Sequence, residues 1–138
     1  MKDPFKPIQR SFPILRGALI VVAMLAIVQS HAQKKELLTS DTEITARAAG
    51  AMDALLLPGT RVHEAIMEED LRGHYVLQIS FREKGDISSV FVVSSSGGEI
   101  RSQNRFKDLV HQSQMPFKVP KGRHYRIEHT FDLDALHH

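Results

Sequence analysis

Histidine is the side chain in this sequence best suited to chemistry: seven of its eight copies, His63, His74, His111, His124, His129, His137 and His138, follow residue 32. Imidazoles hold metals or relay protons when their spacing brings them to one side of an element. None of these stands in a His-Glu-x-x-His pair, which would put two imidazoles on one helical face with a carboxylate between them. His124 and His129 are five apart, so on a regular strand they face opposite sides and cannot share an ion without a bulge. His129 falls on the apolar side of its run, where a partly buried, hydrogen-bonded imidazole is expected. His137 and His138, the last two residues, offer only adventitious metal capture. Glu99 and Asp108 have no spacing that makes an acid and base pair. The small-residue stretch Ser94, Ser95, Ser96, Gly97, Gly98 invites a nucleophile or anion-nest reading, but neither a Gly-x-Ser-x-Gly elbow nor a phosphate-loop signature is present. The stretch is expected to be a flexible, soluble corner between a strand and a helix. The sequence therefore assigns no catalytic residue, no metal ligand and no cofactor, and an enzyme or metal binder using the histidines is the subordinate reading.

The elements that would carry these residues fall into two halves. Ile44, Ala48, Ala51, Met52, Leu55 and Leu56 recur at helical spacing after Ser40 or Asp41 as N-cap, and Pro58 and Gly59 stop the helix. A second short helix is expected over His63 to Leu71, with Glu64, Glu68, Glu69 and Asp70 as a solvated face. After Gly73 the period changes to two: Tyr75, Leu77, Ile79 and Phe81 alternate with Val76, Gln78, Ser80 and Arg82. Glu83 to Asp86 supplies a turn with Gly85, and Ile87 to Ser94 resumes as the second arm of a hairpin. A third helix over Asn104 to Gln112, capped by Asn104, would cover the hairpin, and Phe81, Val93, Phe106 and Phe131 are expected to meet beneath it. Pro116, Pro120 and Gly122 end that helix, and Tyr125, Ile127, Phe131 and Leu133 alternate with polar residues in a last strand. The predicted order, helix, helix, strand, strand, helix, strand, is that of a small α+β domain with a three-stranded antiparallel sheet covered by a helix.

The first 32 residues read differently. Lys2, Lys6, Arg10 and Arg16 precede an apolar run, Gly17 to Val28, which is shorter than the about 20 residues of a membrane span and suits a signal-peptide core. Ser30 and Ala32 provide the small residues for cleavage, so the mature chain is expected to start at Gln33, with a retained membrane anchor as the alternative. Of the 18 Lys and Arg and 16 Asp and Glu in the chain, four and one lie in this leader, leaving 14 against 15. That balance offers no concentrated basic face for nucleic acid. An exported chain without cysteine has no disulfide to rely on, and residues 33–138 are enough for one domain with its own core. Within it, residues 33–72 form a helical segment ahead of a domain spanning residues 73–138.

The order of motifs in residues 62–133 resembles the C-terminal domain of TonB, the energy transducer of Gram-negative envelopes. The matching positions are Gly73 before the first strand, Val76 to Phe81, Gly85 with Ile87, Val90 to Val93 with Ser95, Ser96 and Gly97, Phe106 to Val110, Met115 to Pro120, Gly122, and Arg126 to Leu133. Two departures limit what the resemblance implies. Members usually carry a long proline-rich spacer, whereas residues 33–72 contain only Pro58 and, if helical, reach about 60 Å at about 1.5 Å per residue. The family's Tyr-Pro pair is replaced by Val62-His63.

The expected function is a periplasmic protein-protein interaction module whose last strand is a sheet edge. That edge would take up an extended segment of an envelope partner, and by resemblance the partner would be an outer-membrane TonB-dependent receptor. Tyr125, Arg126, Ile127, Glu128 and Thr130 are the candidate partner-binding residues, and the same edge suits a homodimer. The alternative is a membrane-anchored energy transducer, which requires the leader to be retained.

Overall fold

A computed structural model describes residues 34–138; the expected leader lies outside the described residues. Lys35–His138 forms one compact unit. Its elements are β1 (Glu36–Leu37), α1 (Asp41–Ala54), α2 (Arg61–Glu68), β2 (His74–Phe81), β3 (Ile87–Ser96), α3 (Ile100–His111), β4 (Phe117–Lys118) and β5 (Tyr125–Asp132), followed by a 3-10 turn, Asp134–His137. The fold is α+β: β2 is the centre of an antiparallel sheet in the order β3-β2-β5, and β1 and β4 make a small parallel pair.

The period-two run is borne out residue by residue. Tyr75, Leu77, Ile79 and Phe81 are buried, while their neighbours along β2 are half-buried or exposed. They meet α1 and α3 on one side of the sheet. Tyr75 stacks on Phe106 of α3 at 5.8 Å between ring centres, and Phe106 meets Phe131 of β5 edge-on at 5.0 Å. Toward the other end, Phe81 stacks on Tyr125 and meets Phe117 edge-on. Ile44, Ala48 and Met52 of α1 and Val62 and Ile66 of α2 join the same core, so the change of period near Gly73 falls inside one packed unit.

Val93 does not join Phe81, Phe106 and Phe131 in the core; it is 51% exposed. The pairing of β2 with β3 shifts register twice, between Val76 and Leu77 and between Ser80 and Phe81. Each bulge adds one residue to β3, and a one-residue slip turns every later side chain to the opposite face. Counting by twos from buried Ile87 would bury Phe91 and Val93; after the slip, Val90 and half-buried Val92 face the helices instead. Phe91, 60% exposed, therefore lies on the open face of the sheet.

The caps account for the shifts in element boundaries. Ser40 accepts from the Glu43 N–H, fixing it rather than Asp41 as the cap of α1. Thr60 accepts from the His63 N–H, so α2 starts two residues earlier than expected and ends at Glu68. The third helix starts at Ile100, with Glu99 at the cap position making no side-chain cap bond, so Asn104 lies inside it. Ser94, Ser95 and Ser96 are not a loop: they pair with Val76, Tyr75 and His74, and the turn into α3 is confined to Gly97, Gly98 and Glu99.

Two links tie outlying segments together. Gly85, at φ +86° in the hairpin turn, accepts from the Met115 N–H at 2.8 Å, and a Cβ there would fall 2.5 Å from the Met115 carbonyl oxygen. Only glycine lets the proline-flanked segment approach this closely. The second joins the end of α2 to α3 rather than to the sheet: the two-pronged ion pair of Arg105 with Glu69, with contacts of 2.9–3.1 Å. Hydrogen bonds from Arg105 hold the Glu69 carboxyl below its ordinary range, outweighing desolvation. A lowered carboxylate stabilises the fold above its unfolded-state pKa, and that contribution is lost as pH falls through the folded value. In Arg105→Gln the Glu69 titration, followed by NMR, is expected to move up toward the ordinary carboxylate value. An unchanged titration would mean that the pair is not formed in solution.

Candidate protein-interaction edge

Among the described residues β5 is an edge strand, held by β2 alone in the three-stranded sheet. Its register runs without a shift from Tyr125 opposite Phe81 to Asp132 opposite His74. The direction of its backbone groups follows from that register. Antiparallel pairs alternate between residues that exchange hydrogen bonds and residues that do not. Leu133 donates to the Gly73 carbonyl at 2.9 Å, one step beyond the His74–Asp132 pair. Odd-numbered residues of β5 therefore bond to β2, and Arg126, Glu128, Thr130 and Asp132 turn their N–H and C=O groups outward. Among the described residues, no backbone hydrogen bond outside the ladders uses Arg126, Glu128 or Thr130.

The five candidate residues thus divide. Arg126, Glu128 and Thr130 are exposed, with side chains on the open face and backbone groups on the free edge. Ile127 is 7% exposed and packs in the core, so neither its side chain nor its inward backbone is presented to a partner. Tyr125 is half-buried: it stacks on Phe81, and its hydroxyl donates to Asp41 Oδ1 at 3.1 Å. These two position the strand, and the polar three make up its accessible surface. Arg126 and Glu128 are opposite in charge, with Ser80 and Gln78 as their neighbours across β2.

The other edge differs. β3 carries both bulges, which bend a strand and interrupt its row of backbone donors and acceptors. Spacing alone gave no sign of this asymmetry, because a bulge in Val- and Ser-rich sequence leaves the composition of the strand unchanged.

His129 has the expected environment: its side chain is 14% exposed, Nε2 lies 2.7 Å from Asp53 Oδ1, and the ring meets Phe131 edge-on. His129 and Tyr125 thereby fasten β5 to the two ends of α1. A cleft of about 710 Å³ opens beside the hairpin turn, with Lys35, Arg82, Lys84, Lys118 and Arg123 on its walls. Lys35 donates there to the Lys84 carbonyl and to Gln114 Oε1. Among the described residues no helix is long and apolar enough to cross a membrane. Comparison with models of known protein families, with curated proteins and with solved structures finds no match for this chain.

Proposed function

We propose that the chain is a periplasmic TonB-like interaction module that receives an extended segment of an envelope protein along β5. The observation that carries this reading is the edge of β5, unshifted in register and unpaired among the described residues, whose outward backbone groups belong to Arg126, Glu128 and Thr130. An added strand would satisfy those groups by main-chain hydrogen bonds, and specificity would come from side chains opposite Arg126 and Glu128. An outer-membrane receptor of the TonB-dependent class is the partner that the motif order implies, and cleavage after Ala32 would release the module into the periplasm.

Photo-crosslinking from position 130 in intact cells tests the reading. The expected result is capture of an outer-membrane protein, with the captured form beginning at Gln33. Crosslinks from position 130 no stronger than from exposed Met67 on α2 would remove the support for docking at β5. Recovery of the full-length chain in carbonate-resistant membranes would favour the anchored transducer instead.

A further inference from the structure

The ends of β2 and β5 bring together three side chains that sequence separation conceals. His74 opens β2 and Asp132 closes β5, and the register sets them directly opposite each other. Theirs is a pair that exchanges no hydrogen bonds, the type in which Cα atoms come within about 4.5 Å and side chains lie closest. The 3-10 turn then brings Asp134 to the other side of the imidazole. His74 Nδ1 lies 3.3 Å from Asp132 Oδ1, and His74 Nε2 lies 3.2 Å from Asp134 Oδ2. One ligating atom from each of the three residues lies within 4.8 Å of the others. Ligand atoms on a tetrahedral zinc with bonds of about 2.0–2.1 Å are themselves about 3.3 Å apart.

Three further observations bear on what this cluster binds. Backbone N–H groups from outside the trio orient both carboxylates: Gly73 donates to Asp134 Oδ1 at 2.9 Å and Ala135 donates to Asp132 Oδ1 at 3.2 Å. Outer bonds of this kind fix ligand orientation in metal sites. Second, among the described residues neither carboxylate forms an ion pair with a lysine or arginine; the ion pairs of each are with His74 alone, so two negative charges face at most one positive one. Third, Gly97 stands over the cluster at φ +74°, where a Cβ would lie 3.6 Å from both Asp134 Oδ2 and His74 Cδ2. Its bare backbone leaves an approach open, and the three side chains are 37–48% exposed.

We propose that His74, Asp132 and Asp134 form a divalent-cation site of the zinc type, with one ring nitrogen and one oxygen from each carboxylate as ligands and water completing the coordination. Imidazole with two carboxylates suits zinc or a neighbouring transition ion, whereas magnesium and calcium take all-oxygen sets. Only one imidazole nitrogen can face the ion, so binding turns the His74 ring out of its bridge between the two aspartates. The ion would then join β2, β5 and the closing turn at one point.

Titration of the chain with zinc chloride, followed by calorimetry and by the melting temperature, tests the site. One ion per chain is expected to bind and raise the melting temperature, while magnesium chloride at the same concentration leaves it unchanged. Asp134→Asn keeps the oxygen that accepts from Gly73, so it should fold, and it should bind zinc at least tenfold more weakly. His74→Gln should do the same. Wild-type affinity in both variants, or binding abolished by removing His137 and His138 alone, would overturn the proposal.

Discussion

Replacing Phe106 by Ala is expected to lower the stability of the fold by about 3–5 kcal/mol, the range for truncating a fully buried phenylalanine. Phe106 is 0% exposed and holds two aromatic partners at once, Tyr75 of β2 and Phe131 of β5. Its removal leaves a void where α3 covers the end of the sheet at Tyr75 and Phe131. The void cannot collapse easily, because Tyr75 is fixed at its far end by a hydrogen bond from its hydroxyl to the Arg72 carbonyl. Denaturant unfolding of the two proteins measures the loss. The same change at Phe91, on the open face, should cost less than about 1 kcal/mol, as for most surface substitutions. If the two variants lost similar stability, α3 would not pack on the sheet as described.

Replacing Glu128 by Pro is expected to abolish partner capture while leaving the domain folded. Glu128 sits opposite Gln78 at a position whose N–H points away from β2, so the substitution removes no bond of the existing ladder. Proline is tolerated on an edge strand when its missing donor faced solvent, and the preceding Ile127 is already extended. An incoming strand, by contrast, would lose a main-chain donor at the centre of its contact and meet the pyrrolidine ring there. Glu128→Ala is the control: it keeps the N–H and should shift partner preference without eliminating binding. Circular dichroism and pull-down of the crosslinked partner read the two effects separately. A folded Pro variant that captured its partner normally would rule out strand addition at this edge.

Legibility in the sequence followed how local the cause was. The alternation of Tyr75, Leu77, Ile79 and Phe81 reports burial directly, so the central strand and its inward face could be read from four residues. The last strand and the environment of His129 followed in the same way. The start of α3 could not, because Glu99 makes no capping bond and Asn104, a good cap by type, is overridden by helix already formed around it. Ser94 to Ser96 have turn chemistry by type but are held extended by pairing with His74 to Val76, a tertiary demand that outweighs local preference. The β1 and β4 pair joins residues about eighty positions apart through two-residue strands, too short for any period to show. His74 and Asp132 also lie beyond any motif window; only the register of the folded sheet makes them neighbours.

The difference between the two sheet edges also sets how far assembly can go. A subunit with one regular edge has a valence of one. If two copies join β5 to β5, the edges left at the ends of the six-stranded sheet are both β3, each interrupted by two bulges, so growth terminates at a closed two-fold pair and no fibre propagates. The same arithmetic makes a second copy and a partner segment mutually exclusive occupants of β5. Raising the concentration of the chain would then withdraw it from its partner, so that abundance itself would act as a negative regulator of binding.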